Sequence, residues 1–444
     1  MLSYPLATYF RSLRIYKKPQ IIFSKTVVVL VLTSLILGAL SGAGQFVWQK
    51  PDWTKHNVIL NDLISYEWPV YYGKGHFVEQ TSLVYYIGYY LPAALIGKVT
   101  SYDFAQIALF LYTTLGLLLF GLLLKMKLKR NIIWIFPLIF LISGIDILGQ
   151  FYTKNWLVGL LHLETYTPGL QYSSIMTILT WVPQHGLAAW IPVALFLNDK
   201  KSNITIFGPF VIALTFIWSP FVSIGLSIMW FQFVVLQAIR SYKFWLITSI
   251  SIALSLIFLL YYKSQLPLGT SKPTIFLMTN NDYVGNIKNM CLFLGLDLFI
   301  FAPIIYFLWK FISWQDRILI VGSAIILVLM PQIAYGQNND FVMRVSIPHL
   351  ALLFILILSY LPHTVKLKSW QVGVIIYILI LGMATPYYEI LQLASPSHLG
   401  TNEKPIYNIL ESNKRYGVSH QQYMGLATKA FGKYIGNYEK YYKK

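Results

Sequence analysis

The sequence predicts an all-α, polytopic transmembrane helix bundle of about 11 spans, and three observations indicate it. Of the 444 residues, 57% are hydrophobic and only 11% are charged, whereas soluble domains carry roughly 25% charged residues. The apolar residues form runs close to the roughly 20 residues needed to cross a bilayer. Lysine and arginine concentrate in one set of loops, so the net charge of +18 indicates contact with anionic lipid, not with nucleic acid. These observations exclude a soluble enzyme, a disordered chain and a nucleic-acid-binding module.

The spans can be placed in order along the chain. The first follows Arg11, Arg14, Lys17, Lys18 and Lys25, which predicts a cytoplasmic N-terminus and a signal-anchor, not a cleaved signal peptide. An odd number of spans then predicts an outside C-terminus. The predicted spans cover about 26–47, 104–124, 131–149, 175–198, 204–219, 221–239, 244–262, 290–309, 318–335, 345–362 and 370–387.

The segment Leu83–Gly97 is apolar but is predicted not to span. If it crossed the membrane, the following helix would place Lys125, Lys127, Lys129 and Arg130 outside, against the positive-inside rule. Its tyrosines and Pro92 favour a helix at the outer interface, with a short true span as the alternative. The chain therefore divides into a transmembrane module, 1–390, whose first outer loop covers 48–103, and an outer polar and basic tail, 391–444.

Any chemistry is predicted on the outer side. The inside loops contain only a few residues each, whereas outer loops cover about 48–103, 150–174, 263–289 and 336–344. Among the 16 acidic residues, only Asp199 and Asp316 fall in inside loops. Ionisable residues near a span indicate function because burying them is costly. The single cysteine, Cys291, excludes a disulfide framework, a cysteine-based zinc site and an iron–sulfur cluster.

The first outer loop contains a candidate catalytic carboxylate. Asp62 and Glu67 lie beside a dense aromatic stretch that includes Trp68 and Tyr72. Aromatic faces stack on sugars, and a partly buried carboxylate accepts a hydroxyl proton as a general base. The alternative is that Asp62 caps a surface helix.

Two further outer segments carry candidate residues. Asp146 lies in the outer part of an otherwise apolar span, where it must find a partner or be protonated; it is either a second site carboxylate or a satisfied helix-end residue. Arg344 lies at the mouth of a span, where its guanidinium suits a phosphate. Asp340, four residues earlier, is a candidate for the same site and also the alternative salt-bridge partner of Arg344.

The segment between the third and fourth spans adds polar candidates. His162 and Glu164 lie in the loop, and Gln184 and His185 follow Pro183 inside the next span. Proline opens a helix backbone and frees carbonyl groups that need partners. Gln184 and His185 are predicted to face the same cavity, with a hydrogen-bonded core histidine as the alternative for His185.

The arrangement of spans, loop and acidic residues resembles the GT-C class of membrane glycosyltransferases, which use polyprenyl-phosphate-linked sugars. The resemblance implies Asp62 as the acidic residue of the first outer loop, the 81–97 segment as its juxtamembrane element, Asp146 as the second acidic position and Arg344 as the ligand of the carrier phosphate. An Asp-x-Asp pattern is absent at Asp62, which favours a metal-independent base over Mg or Mn. The strings SGIDILG, QYSS and WVPQH also resemble uncharacterised bacterial polytopic membrane proteins.

The resulting prediction is an inverting glycosyltransferase of the bacterial plasma membrane and cell envelope, with its site facing outward. Its expected partners are a polyprenyl-phosphate-linked sugar donor, a glycan, lipid or protein acceptor, and membrane lipids, with no nucleic acid. The chain lacks P-loop, GxGxxG, CxxC, HExxH and Gly-x-Ser-x-Gly patterns, which disfavours ATP-driven transport and nicotinamide chemistry. The alternatives are a flippase or transporter for lipid-linked sugar or polysaccharide, and a polysaccharide polymerase or ligase.

Overall fold

The structure of the protein is a computed structural model. The predicted N-terminal basic cluster Arg11–Lys18, Lys74, the inside-loop residues Lys200, Lys201 and Arg240, and most of the 391–444 tail lie outside the described residues. The structure describes residues 24–72, 81–153, 162–199, 203–237, 241–264, 273–336, 339–394, 404–405, 407–409, 411–412 and 423–427.

The described chain is mostly helical, and we number its helices in order. The first nine are α1 Lys25–Leu40, α2 Trp53–Ser65, α3 Leu91–Val99, α4 Tyr102–Leu128, α5 Ile132–Ile139, α6 Asp146–Thr153, α7 Ile175–Trp181, α8 Pro183–Leu197 and α9 Asn203–Thr215. The others are α10 Pro220–Gln237, α11 Tyr242–Lys263, α12 Tyr283–Asp297, α13 Ala302–Leu308, α14 Trp314–Leu329, α15 Asp340–Val345, α16 Ile347–Tyr360, α17 Ser369–Gly382 and α18 Ala384–Gln392. Two short 3₁₀ segments used below are Trp309–Phe311 and Leu361–Lys366.

The protein is a multi-pass membrane bundle. Within the described ranges, seven helical segments are long and apolar enough to cross a membrane, and Lys25–Leu40 and Ile204–Thr215 are shorter apolar helices. The predicted number of 11 spans is therefore not confirmed. The seven segments are Tyr102–Leu128, Pro220–Gln237, Tyr242–Lys263, Tyr283–Phe311, Trp314–Gln332, Ile347–Lys366 and Ser369–Gln392.

Two of the predicted spans are broken helices. The 131–149 run divides into α5, which contains Pro137, and α6, which begins at Asp146. The 175–198 run divides at Val182, because Pro183 has no N–H group to continue the ladder of α7. The Leu83–Gly97 segment forms only the nine-residue helix α3 and a turn before it. At 1.5 Å per residue that helix is about 14 Å long, too short to cross the hydrocarbon core.

A small sheet joins the first loop to the tail. Strand β1 (Tyr71–Tyr72) pairs antiparallel with β2 (Thr81–Leu83), and β2 pairs antiparallel with β5 (Met424–Leu426). A separate two-stranded sheet pairs β3 (Thr274–Ile275) with β4 (Ile333–Ala334). The described part of the tail is thus not a separate layer, because it is built into the first loop.

The bundle has two distinct ends. The long helix α4 packs against α1, α3 and α8. At one end its last turn meets the start of α14, where Lys127 Nζ lies 3.0 Å from Asp316 Oδ1. Asn198, after α8, donates to Leu123 O at the same end. We call this the basic end; the loops at the other end surround the cavity described below.

Gly225 lets α15 approach α10. A Cβ at this position would lie 2.2 Å from the carbonyl oxygen of Val345, closer than any real contact. Because the obstacle is backbone, a side chain at residue 225 must displace the turn that carries Arg344.

We therefore expect Gly225→Ala to lower the free energy of unfolding by about 1–3 kcal/mol, the usual cost of overpacking. Thermal melting of the detergent-solubilised protein measures the loss. Gly373→Ala in α17 is the matched control, since its Cβ would meet nothing within 4 Å. Equal melting temperatures for the two variants would show that the close approach at Gly225 is unimportant.

Candidate functional site

A cavity of about 830 Å³ lies at the end of the bundle opposite the basic end. Its wall is built by the start of α2, the segment before α7, the region of α15 and the tail. The lining includes charged, polar and aromatic side chains: Asp52, Lys55, His56, Tyr85, His162, Gln171, Trp181, Asp340, Arg344 and Tyr423. A cavity of this volume accommodates a small-molecule ligand.

Asp52 is one of two carboxylates on the lining of this cavity, the other being Asp340. It occupies the N-cap position of α2, yet its side chain makes no capping hydrogen bond. Asp52 is exposed to the space of the cavity. The protein atoms around it partly desolvate its carboxyl group and raise the pKa of Asp52 to about 6, while Arg344 opposes this effect and Asp340 adds to it. A carboxylate with this pKa is ionised near neutral pH and still basic enough to accept a proton.

Arg344 is fixed at the cavity wall by two contacts. Its Nη2 atom lies 2.9 Å from Asp340 Oδ1, and its Nη1 atom donates to the hydroxyl of Tyr86 over 3.1 Å. The guanidinium also lies 5.4 Å from the centroid of the Tyr86 ring. Asp340 is therefore the salt-bridge partner of Arg344, as the alternative interpretation held, and both residues also line the cavity.

The break between α7 and α8 anchors α2 beside the cavity. The carbonyl oxygen of Thr180 accepts from Trp53 Nε1 at 2.9 Å, and that of Trp181 accepts from His56 Nε2 at 2.9 Å. Carbonyl groups near Pro183 thus find partners, and the partners come from α2. The other ring nitrogen of His56 contacts the Tyr90 hydroxyl. Because burial lowers the pKa of His56 to about 4, this ring is a neutral positioning group.

Lys55 adds a second cation to the lining. Its Nζ atom donates to Ser412 Oγ over 2.8 Å and lies 5.8 Å from the Tyr423 ring centroid. Burial lowers the pKa of Lys55 to about 8. The tail therefore contributes directly to one wall of the cavity.

A buried chain of charges lies behind the cavity wall. Lys50 Nζ is 2.8 Å from Glu389 Oε2, and His162 Nδ1 is 3.2 Å from Glu389 Oε1. On its other side, His162 Nε2 lies 3.5 Å from Glu164 Oε2. The His162 ring stacks on Trp181 with centroids 5.2 Å apart. Burial lowers the pKa of His162, but Glu164 and Glu389 more than offset this, so its pKa is raised.

Glu164 is held from three sides. Its Oε1 atom accepts from Ser174 N and from Thr177 Oγ1, both at 2.7 Å, and its Oε2 atom accepts from the Gln171 amide at 2.9 Å. These bonds fix the loop onto the first turn of α7. His162 and Glu164, a weak pair by sequence spacing, are therefore close in space, and of the two only His162 lines the cavity.

Asp62 lies away from the cavity. It is fully buried inside α2, so it is not a helix cap, and its Oδ2 atom accepts from the Tyr72 hydroxyl at 2.6 Å and from Ile409 N at 3.0 Å. Burial raises the pKa of Asp62 to about 7, although these two bonds oppose the rise. Its contacts tie α2 to strand β1 and to the tail, and its predicted role as base stays a prediction.

The other first-loop candidates also lie off the cavity lining. Glu67 is exposed. Trp68 Nε1 donates to Leu63 O at 2.7 Å, and Lys98 lies over the Trp68 ring. Tyr72 is buried against Asp62. The aromatic stretch therefore packs the loop instead of lining the cavity.

Asp146 lies in a second buried polar cluster. Its Oδ2 atom accepts from Ser143 Oγ at 2.9 Å and from Thr385 Oγ1 at 2.6 Å. Asp297 interacts electrostatically with Asp146, and its Oδ2 atom accepts from the Tyr166 hydroxyl at 2.9 Å. Asp146 therefore lies at the start of α6 with its Oδ2 atom hydrogen-bonded, while its Oδ1 atom has no hydrogen-bond partner within the described residues.

Gln184 and His185 are fully buried behind the cavity wall. The His185 ring packs edge-on against Tyr86 with centroids 5.1 Å apart. Within the described residues, neither the Gln184 amide nor the ring nitrogens of His185 have a hydrogen-bond partner. They border the Tyr86–Arg344 contact without lining the cavity.

Three residues that organise the site were not predicted from the sequence: Asp52, Lys50 and Glu389. Asp52 has one local signal, because it follows Pro51 directly after the first span and precedes an amphipathic helix. In the part of the chain that the structure describes, no three His, Cys, Asp or Glu side chains come together as metal ligands.

Comparison with known proteins gives no assignment: no family model matches the sequence, and no curated protein or solved structure is significantly similar to it.

We expect Lys50→Met and Glu389→Met to destabilise the protein by about 3–5 kcal/mol each, because each change leaves an uncompensated buried charge. The double variant should recover most of this loss. Melting of the four proteins in detergent measures the coupling. Additive losses in the double variant would contradict a direct ion pair.

Proposed function

We propose that the protein is an inverting membrane glycosyltransferase of the GT-C type, which transfers a sugar from a polyprenyl-phosphate carrier to an acceptor hydroxyl. The observation that supports this most is the shared cavity of Asp52 and Arg344, in which a basic carboxylate and a fixed guanidinium face one ligand-sized space. The reaction needs a proton acceptor and a stabiliser of phosphate charge, and these two side chains supply them.

Asp52 is the general base in this proposal. It accepts the proton of the acceptor hydroxyl while the acceptor oxygen attacks the anomeric carbon from the face opposite the phosphate. We assign this role to Asp52 instead of Asp62 because Asp62 is buried and already accepts two hydrogen bonds, whereas Asp52 lines the cavity. Both belong to the first outer loop, where the GT-C resemblance expects an acidic residue.

Arg344 binds the leaving group. As the bond between the anomeric carbon and the phosphate oxygen breaks, negative charge develops on the departing polyprenyl phosphate. The guanidinium is permanently charged and suited to bidentate contact with phosphate oxygens. Asp340 and Tyr86 fix its orientation before the ligand arrives. Lys55 supplies a second cation on the lining.

The aromatic side chains of the lining suit the sugar. Tyr85, Trp181 and Tyr423 line the cavity, and aromatic faces pack against the C–H surfaces of sugar rings. The pairing of Lys127 with Asp316 joins two segments predicted to be cytoplasmic. The positive-inside rule then supports a cavity that opens to the outside of a bacterial plasma membrane.

A carrier for a lipid-linked sugar is the second candidate, and the Asp146–Asp297 cluster favours it. When two carboxyl groups are buried close together, repulsion between their charges favours a state in which one of them holds a proton. Buried ionisable residues in a membrane bundle commonly form proton relays. A carrier would move its substrate without forming a glycosidic product, so product analysis separates the two candidates.

We expect Asp52→Asn to reduce sugar transfer in purified membranes by about 10²–10⁴-fold, the usual contribution of a general base. Asp62→Asn is the matched control, with the same change of atoms in the same helix. It should lower the melting temperature while the folded enzyme keeps its turnover. The assignment of the base fails if Asp52→Asn is active or if Asp62→Asn abolishes turnover in folded protein.

The pH dependence of kcat/KM should follow the ionisation of the Asp52 carboxyl group. Only the ionised carboxylate accepts a proton, so activity should rise with pH through a midpoint near 6 and then level off. Arg344 lowers the pKa of Asp52 and Asp340 raises it. We therefore expect the residual activity of Arg344→Gln to have a more alkaline midpoint and that of Asp340→Asn a more acidic one. Unchanged midpoints in both variants would exclude Asp52 as the titrating group.

A further inference from the structure

The basic end of the bundle carries a cluster of cations around two aromatic rings. Lys310 Nζ lies 4.9 Å and Lys366 Nζ 5.7 Å from the centroid of the Phe311 ring. Two ammonium groups thus share one ring, although they come from separate 3₁₀ segments, Trp309–Phe311 and Leu361–Lys366. The His363 ring packs on Phe311 as well, with centroids 5.0 Å apart.

Arg317 extends the same cluster. Its guanidinium lies 4.9 Å from the Trp309 ring centroid, and its Nη2 atom donates to the Trp309 carbonyl oxygen over 2.8 Å. These contacts hold the cation in place beside Lys310. We call Lys310, Arg317 and Lys366 the cation cluster.

The carboxylates near this end are already engaged. Asp316 pairs with Lys127 at 3.0 Å and accepts from the Tyr360 hydroxyl at 2.6 Å. Asp199 accepts from Thr205 N and Oγ1 at 2.6 and 2.7 Å. In the described ranges, Lys310, Arg317 and Lys366 form no ion pair with a carboxylate. Like charges gathered without a counter-charge repel one another, and an anion would relieve this repulsion.

The surface beside the cation cluster is suited to lipid. Trp314 and Trp370 are 72% and 59% exposed, and tryptophan is enriched at the level of lipid headgroups. Trp370 packs edge-on against Phe307, with centroids 5.2 Å apart. Farther along α17, Ile376 and Ile380 are also exposed. A phosphate at the cluster would therefore have an apolar helix face beside it for acyl chains.

From this juxtaposition we infer that the cation cluster is a binding site for the phosphate of an anionic phospholipid. Lys310 and Lys366 contact the phosphate oxygens, Arg317 adds fixed positive potential, and the exposed face of α17 receives an acyl chain. This site lies at the opposite end of the bundle from the cavity and does not depend on the proposed transferase activity.

Native mass spectrometry of the full-length protein in detergent tests the site, with phosphatidylglycerol and phosphatidylcholine added in equal amounts. The unmodified protein should retain phosphatidylglycerol preferentially. Lys310→Gln with Lys366→Gln should weaken this preference by about 25-fold, roughly fivefold for each lysine at a membrane surface. Lys310→Arg with Lys366→Arg should retain it, because the charge is kept.

Lys98→Gln with Lys288→Gln is the matched control. Each of these lysines also lies over an aromatic ring, Trp68 and Tyr152 respectively, and the net charge changes equally. Retained lipid preference in this control supports the site, and an equal loss would overturn it by showing a general charge effect. Preferential binding in the glutamine variant would also overturn it. Displacement of the lipid by millimolar inorganic phosphate would assign the cluster to free phosphate instead of a headgroup.

Discussion

The buried ion pair between Lys50 and Glu389 is the constraint on which the arrangement of the site depends. Lys50 follows α1, and Glu389 lies in α18, so the pair joins two segments that are far apart in the sequence. Both side chains are almost completely buried. A buried charge without a partner is very costly. This cost holds the two segments together, and it also holds His162, which pairs with the other carboxylate oxygen of Glu389.

The properties of the cavity follow from that arrangement. Lys50 lies two residues before Asp52, so fixing Lys50 sets the position of α2 and its first carboxylate. Glu389 also pairs with His162, and this contact helps to hold the 162–174 segment over the first turn of α7. The proline break before α8 then supplies carbonyl oxygens to Trp53 and His56. Carbonyl groups that would be paired within a continuous helix are freed by the break and thus support the site.

The sequence predicted what depends on local rules. The membrane class follows from composition, the break at Pro183 from its missing N–H group, and the short, non-spanning α3 from charge placement. Arg344 was identified because a single basic residue at the outer end of a span is suited either to bind a phosphate or to pair with a nearby carboxylate. Asp62 shows where prediction from local sequence ends. A carboxylate among aromatic residues has the same sequence pattern whether its side chain faces a ligand or, as Asp62 does, a tyrosine and the backbone of the tail. Lys50, Glu389 and the tail depend on pairing between distant segments, which local patterns do not contain.

The claim that the cavity binds a lipid phosphate opposite a basic carboxylate can be tested most directly by an experimental structure with a polyprenyl phosphate bound. We expect the phosphate oxygens to lie about 2.7–2.9 Å from the guanidinium nitrogens of Arg344, the spacing of a charge-assisted hydrogen bond, on the side of the cavity that faces Asp52. Phosphate density elsewhere, with Arg344 paired only to Asp340 and Tyr86, would contradict the claim.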